Sequence, residues 1–431
     1  MNIAQVLKRK INFKKANVTV IGLGYVGLPL AISFAQKGFK VFGIDVNTRR
    51  IERLRNCESY ITDVKNKDFA QLIHSGRLSV STDFNALSNS DAVIICVPTP
   101  IKRKYTPDIS YMLSAVRSIA QHLHPGMLIV LESTTYPGTT EELIKPELEK
   151  SGLKVGRDFY LAFSPERIDP GNKHFDVNHI PKVVGGLTET CTQLTALLYG
   201  KVIKQIHKVS SAKAAEMTKL LENSFRIVNI GWINEIAQAC HKMGIDVWEV
   251  IDAAKTKPFG FMPFYPGLGV GGHCIPEDPL YLYWKAKRYG FNSKFIRLAA
   301  DTNSHMPNYV VHRLEAFLNK PLSKSKILVV GVTYKKDVKD LRKSPAIRLV
   351  ELLKHIGHVD YHDPMAPFLK MGSIDLKSVD LNSKAVKKYD CVVIAVDHSK
   401  VNYSLIQKNA KRIFDVRNVY KGQQDSKIER L

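Results

Sequence analysis

The sequence predicts an α/β protein in which two doubly wound domains are joined by a long central helix and a helical dimerisation region, and three observations predict it. Short apolar runs bounded by turn residues alternate with helical spacing up to about residue 205. From Ser210 to Met243 one helical pattern runs on without a break, and after residue 320 the strand-then-glycine alternation restarts. The expected divisions are an N-terminal domain over 1–208, a central region over 209–320 and a C-terminal domain over 321–431.

Taken in order, "NVTVI", "GLGYVG", "LPLAISFAQKG" and "FKVFGID" read as strand, Gly-rich turn, helix and strand, the first βαβ unit of a Rossmann-like sheet. "DAVIICVP", "GMLIVLEST", "DFYLAFSPER" and "PKVVGG" supply further strands, with "YMLSAVRSIAQHL" as a helix between them, and the alternation implies a parallel sheet. "SSAKAAEMTKLLENSFRIVNIGWINEIAQACHKM" has no Pro and a single Gly, with apolar residues near three-and-four spacing for about nine turns. A helix of that length links two domains and offers a face for packing a second copy of the chain. A Gly/Pro-rich segment over 257–279 follows, then the aromatic helical stretch "PLYLYWKAKRYG" and a helix to about Leu318. Beyond the linker "NKPLSKS", the runs "KILVVGVTY", "AIRLVELLKHIG", "HVDYHDP", "YDCVVIAVD" and "KRIFDVRN" build the second doubly wound domain.

The length of 431 residues, at roughly 150 per domain, agrees with two or three cores, and a 45% hydrophobic fraction can fill them. The six cysteines (Cys57, Cys96, Cys191, Cys240, Cys274 and Cys391) form no CxxC pair and have no accompanying His spacing. Neither a disulfide framework nor a metal site is indicated, and the reducing cytoplasm is the expected location. "MNIAQVLKRKINFKK" lacks the apolar core of a secretory signal, and no apolar run reaches the ~18 residues of a spanning helix, so no membrane insertion is expected. The net charge of +23 comes without aromatic interleaving or a helix-turn-helix pattern, which argues against nucleic acid as the partner. It reads as solvated Lys with a minority steering anionic ligands.

A GxGxxG triplet alone is a weak signal, but here Gly22, Gly24 and Gly27 follow a strand and open a helix, and Asp45 ends the next strand. Gly22 permits the tight turn, Gly24 lets a pyrophosphate approach the backbone, and Gly27 allows close helix packing, while the helix N-terminus supplies free amides. Asp45 suits the adenosine-ribose hydroxyls and repels a 2′-phosphate, which favours NAD; Arg49 and Arg50 pull the other way.

In the long helix Lys219 and Asn223 stand at i and i+4, so an ammonium and a carboxamide project from one face and suit a developing oxyanion. Cys274 lies in "GLGVGGHCIPEDP", where Gly267, Gly269, Gly271 and Gly272 let backbone amides face a ligand and His273 and Asp278 stand close to the thiol in sequence. A dinucleotide enzyme with a reactive thiol implies oxidation past the aldehyde, through a thiohemiacetal and then a thioester that water releases as an acid. The residues alone also allow a two-electron alcohol dehydrogenase with Cys274 structural, or an NAD-responsive binding protein.

With "GLGYVGLPLA", "CVPTP", "LESTTYPGTTEE", "FSPERIDPG", "KAAEMTKLLENSFRIVNI", "KPFGFMPFYPG", "GGHCIPEDPLYL" and "YKKDVKDLRKSPA" in this order, the chain resembles the UDP-glucose/GDP-mannose dehydrogenase family. The resemblance implies an NAD-binding domain, a central dimerisation region and a UDP-sugar-binding domain. It implies oxidation at C6 of a UDP-N-acetylhexosamine, UDP-N-acetylglucosamine first, with UDP-glucose and UDP-N-acetylmannosamine as alternatives, for surface polysaccharide precursors. By the same resemblance Cys274 is the nucleophile, Lys219 and Asn223 stabilise oxyanions, Asp278 sets protonation states, and Thr134 and Glu166 position water or move a proton. The cofactor falls to the glycine loop with Tyr25 and Val26, and to Asp45, Arg50, Pro98, Thr99, Thr134 and Arg342. The sugar nucleotide falls to Glu166, Arg167, Lys219, Asn223, residues 264–272 with Phe264 and Tyr265, Lys335 and Arg417. UDP-glucose dehydrogenases often carry a second carboxylate four residues after the one matching Glu166; here Pro170 stands there, leaving fewer groups for acid/base work.

Overall fold

A computed structural model of the chain describes every residue except Met1, Thr62, Asp63, Lys65, 102–105, 168–178, Ser373 and Gln424. It divides into two units, Met1–Leu221 and Glu222–Leu431, the boundary falling inside the helix Ala212–Met243. Pro170 lies outside the described residues.

The first unit is built on a sheet of β1 (Asn17–Ile21), β2 (Lys40–Ile44), β3 (Leu78–Ser81), β4 (Ala92–Ile95), β5 (Leu128–Leu131), β6 (Tyr160–Phe163), β7 (Lys182–Gly186) and β8 (Ile206–Lys208). Their spatial order is β3-β2-β1-β4-β5-β6-β7-β8. The first six strands are parallel and reverse direction of growth at β1, the doubly wound order that places a ligand crevice at the carboxyl ends of β1 and β4. The central strands β4, β5 and β6 are apolar and buried along their whole length because helices cover both faces. In β4, Ala92 and Ile94 join the core on one face while Val93 and Ile95 join the core on the other. The helix Gly27–Gln36 fills the first face with Leu28, Leu30, Ala31 and Phe34, and Ser110–Gln121 fills the second with Met112, Ala115, Val116 and Ile119.

The expectation of a wholly parallel sheet needs one correction. β7 pairs antiparallel with β6, Ala162 opposite Gly186 and Phe163 opposite Gly185, and β8 then runs parallel to β7. A parallel partner requires a crossover of a dozen or more residues, usually a helix, whereas an antiparallel one needs none. The reversal carries the amino end of β7 to the carboxyl end of β6.

In the second unit β9 (Lys326–Val330), β10 (His358–His362), β13 (Cys391–Ile394), β14 (Ile413–Asp415) and β15 (Ile428–Arg430) form a parallel sheet in the order β10-β9-β13-β14-β15. A two-stranded antiparallel ribbon, β11 (Phe368–Met371) with β12 (Ile374–Lys377), accompanies it. Ile327 and Val329 face one core and Leu328 and Val330 the other, the period of two that a strand covered on both faces requires. The helix Lys294–Leu318 packs Met306, Val310, Val311 and Leu314 into the first of these cores.

The helix holding Cys274 begins earlier than the sequence suggests. It spans Cys274–Lys287, so Cys274 is its first residue and not part of a loop. Pro276 sits in the first turn, where its missing N–H would lack an intrahelical partner in any case, and Pro279 disguises the second turn. Among the described residues no helix is long and apolar enough to cross a membrane, and no group of three or more His, Cys, Asp or Glu side chains could hold a metal.

Candidate active site

In the first unit the candidate residues gather at the carboxyl ends of the strands. Gly22 follows β1 with φ +92°, and a Cβ there would sit 2.6 Å from the Cys96 carbonyl oxygen. A Cβ on Gly27 would sit 1.9 Å from the Gly22 oxygen, so the helix cannot start here with any other residue. Gly24 has no atom within 4 Å of such a Cβ, which is the open backbone a pyrophosphate needs. Tyr25 is exposed and Val26 is the residue before the helix. These positions fit NAD as the sequence anticipates.

Asp45 follows β2 and is almost fully buried. Its Oδ2 accepts from the Leu23 amide at 2.9 Å and its Oδ1 from the Asn47 amide at 2.9 Å. The Arg50 guanidinium lies 3.3 Å from Oδ2, so the cation that argued for a 2′-phosphate is turned onto the acid that argues against one. Tyr60 donates to the Leu23 carbonyl, and burial, then the Asp45 charge, push its phenol up to about 12. Pro98 is exposed after β4, and Thr99 Oγ1 donates to the Thr134 carbonyl at 2.7 Å. The buried Lys219 ammonium in turn donates to Thr134 Oγ1 at 2.6 Å, joining three of the candidate residues.

Glu166 lies just beyond β6 with its Oε1 accepting from the Arg167 amide at 2.7 Å, and the Arg167 guanidinium donates to the Pro181 carbonyl at 2.7 Å. Behind it stands a buried cluster that no single sequence motif brings together. Lys182 Nζ is 3.1 Å from Glu166 Oε2 and 3.1 Å from Glu132 Oε1. Glu132 also accepts from the Tyr199 hydroxyl, and the Cys96 thiol lies 4.0 Å from its other oxygen. Burial pushes Glu132 up, against the pull of Lys182. Burial pulls the Lys182 ammonium down, but Glu132 and Glu166 outweigh it and hold it above the ordinary lysine value. Burial likewise drives the Cys96 thiol and the Tyr199 phenol up. The signal was available: an acid closing the apolar run "LIVLE" and a lysine opening the apolar strand "KVVGG".

In the second unit Asn223 and Asp278 are both buried, and Asn223 Nδ2 donates to Asp278 Oδ2 at 2.7 Å. Lys219 and Asn223 do stand a turn apart on one helix, but each donates to another member of the candidate set, Thr134 and Asp278 respectively. Cys274 opens its helix, at the end where the macrodipole favours an anion. His273 Nδ1 lies 3.3 Å from Glu277, whose other oxygen pairs with the Lys343 ammonium.

The glycine run before Cys274 does different work from that expected. A Cβ on Gly269 would meet the Asn303 carbonyl at 2.4 Å, one on Gly271 the Tyr334 Cβ at 2.8 Å, and one on Gly272 the Tyr334 ring at 2.9 Å. The Gly267 amide donates to Asn234 Oδ1 at 2.8 Å and the Gly272 amide to the Arg342 carbonyl at 2.9 Å. Protein atoms therefore occupy the space beside Gly269, Gly271 and Gly272, and the amides of Gly267 and Gly272 are spent inside the protein. Arg417 Nη1 lies 3.2 Å from where a Gly267 Cβ would stand, and its Nε is 3.2 Å from Asp397. The Arg342 guanidinium is held by Asp340 at 2.7 Å, and the half-buried Lys335 gives its carbonyl to Thr333. Phe264 meets Phe225 edge to face at 5.7 Å, and Tyr265 stacks on Trp248 at 6.2 Å.

The NAD binding domain of the UDP-glucose/GDP-mannose dehydrogenase family matches residues 16–203, its central domain 213–305 and its UDP binding domain 328–422. The chain is 40% identical over 394 residues to UDP-N-acetyl-D-glucosamine 6-dehydrogenase of Pseudomonas aeruginosa, covering 90% of this chain and 92% of that one. Its fold is similar to that of a UDP-D-ManNAc dehydrogenase from Pyrococcus horikoshii, with a TM-score of 0.87 and 35% identity over 96% of this chain and 98% of that one. It is also similar to a UDP-glucose dehydrogenase from Pyrobaculum islandicum, with a TM-score of 0.85 and 28% identity over 96% and 97% of the two chains.

Proposed function

We propose, for a chain that belongs to the UDP-glucose/GDP-mannose dehydrogenase family, that it oxidises a UDP-N-acetylhexosamine at C6 to the uronic acid. The family makes it an NAD-dependent nucleotide-sugar dehydrogenase. UDP-N-acetylglucosamine is the substrate we assign first, on the likeness to the Pseudomonas aeruginosa enzyme. The observation that carries oxidation to the acid is Cys274, a nucleophile of the kind that traps an aldehyde, at the first position of its helix.

NAD, when bound, accepts a hydride in each of two oxidations. The Gly22 turn, the open backbone at Gly24 and the Asp45 carboxylate hold it, with Tyr25, Val26, Arg50, Pro98, Thr99, Thr134 and Arg342 around it. The Lys219 ammonium and the Asn223 carboxamide stabilise negative charge on the C6 oxygen. The Cys274 thiolate adds to the aldehyde carbon, and the thiohemiacetal becomes a thioester at the second oxidation. Water then attacks the thioester carbonyl, the C–S bond breaks with the thiolate leaving, and Glu166, with Thr134, orients that water and takes its proton. Asp278 keeps the thiol and the water in the required protonation states. The alcohol, one water and two NAD thus give a carboxylate, two NADH and three protons. Glu166, Arg167, Phe264, Tyr265, Lys335 and Arg417 hold the UDP-sugar, its diphosphate matched by the cations, while Gly267, Gly269, Gly271 and Gly272 let the segment between Tyr265 and Cys274 pack closely enough to present it.

In this reading residues 1–208 bind NAD, 209–320 pair two copies and 321–431 hold the UDP group. The pairing is supported by Met217, Leu221, Phe225, Trp232 and Met243, exposed apolar residues that fall on one stripe of the long helix at about 100° per residue. The cysteines are free thiols, in keeping with a cytoplasmic enzyme. A second reading, UDP-N-acetylmannosamine as substrate, is favoured by the likeness to the Pyrococcus horikoshii structure. A panel of UDP-N-acetylglucosamine, UDP-N-acetylmannosamine and UDP-glucose with NAD tests the assignment by kcat/KM. We expect the first to exceed the others by about tenfold or more, since a site that hydrogen-bonds a substituent discriminates by at least that ratio. Preference for UDP-N-acetylmannosamine selects the second reading, and turnover of UDP-glucose alone overturns both.

A further inference from the structure

Two carboxylates share one buried ammonium at the carboxyl edge of the first sheet. Glu132 ends the run of β5, Glu166 follows β6, and Lys182 opens β7. Lys182 reaches them because β7 is reversed: Phe163 is paired with Gly185, so the residue three places before Gly185 is carried to the residue three places after Phe163. In a parallel strand the same residue would point away from that edge. The ammonium lies 3.1 Å from each carboxylate and 5.2 Å from the centre of the Tyr199 ring. Its side chain is 8% exposed, against 0% for Glu132 and 13% for Glu166. Glu166, Arg167 and Lys182 line a small cleft with Val26 of the glycine loop.

We propose that Lys182 is a positioning residue of the oxidation, fixing the Glu166 carboxylate in place and coupling it through one ammonium to Glu132, a second carboxylate buried behind it. The inference rests on the reading of Glu166 as the group that orients water and takes its proton. Two anions and one cation leave the cluster one negative charge in surplus when both acids are ionised, so it accepts one proton and still keeps one ion pair. The groups facing Lys182 are Glu166 beyond β6, Glu132 beyond β5 and Tyr199 on the helix Glu189–Tyr199, with the Cys96 thiol beyond β4 against Glu132. Glu132 thereby takes up the role left vacant by Pro170 in the sequence. A compact ammonium suits the task, since it serves two separately placed carboxylates where a planar guanidinium favours one in bidentate fashion.

The test is the pH profile of kcat for Lys182→Met, with Glu166→Gln and Lys182→Arg measured beside it. Loss of the cation raises the pKa of the carboxylate it held, so the acid limb of Lys182→Met is expected to move up by about one unit, with kcat at neutral pH falling about tenfold or more. KM for NAD stays within about twofold, which a general loss of structure would not allow, and Lys182→Arg brings the acid limb back to within about half a unit while kcat stays lower. Should the uncompensated acids prevent Lys182→Met from folding, the double variant Lys182→Met/Glu132→Gln restores the balance and is expected to keep the fall in kcat, with a smaller rise of the acid limb because the Glu132 charge that opposed ionisation is gone as well. A folded Lys182→Met variant with the wild-type profile, or a folded double variant with the wild-type kcat, beside a Glu166→Gln variant that has lost activity, overturns the role of Lys182 alone. A Glu166→Gln variant with wild-type kcat and profile overturns the reading of Glu166 and the inference with it.

Discussion

At the scale of single residues, Gly27 and Asp45 show how narrowly the dinucleotide loop is set. A methyl group on Gly27 would lie 1.9 Å from a backbone oxygen that cannot move without opening the turn after β1. Gly27→Ala is therefore expected to lower NAD affinity about tenfold or more, or to prevent folding, while Gly24→Ala folds and loses affinity only where the pyrophosphate must approach. Isothermal titration with NAD and thermal melting separate the two. At Cys274 the outcome depends on the thiolate: Cys274→Ser is expected to lower kcat by about three orders of magnitude or more while leaving the binding of NAD and the UDP-sugar within about threefold. Retained formation of the acid by Cys274→Ser would remove the covalent intermediates. The glycine triplet, Asp45 and Cys274 were legible in the sequence because each belongs to a local pattern. Lys182 and Glu132 were not, since their meeting across fifty residues of sequence depends on how β7 is paired with β6, the strand that lies between them.

At the scale of elements, local signals were read correctly where they were strong and were lost where tertiary structure decided. The helix Ala212–Met243 matches its periodic pattern nearly to the residue, and β1, β2, β4, β5, β6, β7, β9, β10, β13 and β14 fall on the apolar runs read as strands, whereas the short β3, β8 and β15 gave no such run. The direction of β7 could not be read, because "KVVGG" is equally apolar on both faces and pairs as well in either sense. The start of the helix at Cys274 was hidden by Pro276 and Pro279, which read as loop residues although one lies in a first turn. Glu216, on the long helix, gives an element-level test. Its carboxylate is almost fully buried and accepts from the Gly138 amide at 2.6 Å, the Thr140 amide at 2.9 Å and the Thr140 hydroxyl at 2.6 Å, fastening the helical segment that starts at Thr140. Burial pushes its carboxyl from 4.5 up to about 7, against those hydrogen bonds. The native state therefore binds the proton more tightly than the unfolded state, and the stability this group contributes is present below its unfolded pKa and lost as pH rises through about 7. The loss amounts to about 3 kcal/mol between those limits. The difference in stability between the wild type and Glu216→Gln, followed by denaturant unfolding from pH 4 to pH 8, is expected to shift against the wild type by that order. A pH-independent difference would mean the acid is ionised throughout.

At the scale of the whole molecule, a chain with two doubly wound sheets is matched to a reaction that needs both a dinucleotide and a sugar nucleotide. The apolar stripe on the long helix predicts a dimer of twice 48.5 kDa, and Trp232→Lys, at an exposed position on that stripe, is expected to yield a monomer by light scattering. A wild-type monomer at micromolar concentration would assign the stripe to another partner. The net charge of +23 exceeds what the candidate cations for two anionic ligands require, and nothing in the fold explains the excess. The central claim is that one active centre carries an alcohol through the aldehyde to the acid while the sugar stays on Cys274. It is tested most directly by incubating the protein with limiting UDP-N-acetylglucosamine and excess NAD and counting NADH per sugar consumed. A ratio of about two is expected, with the uronic acid as product and no free aldehyde, the electron count of two successive hydride transfers. A ratio near one, with an aldehyde captured by a hydrazine, would contradict it.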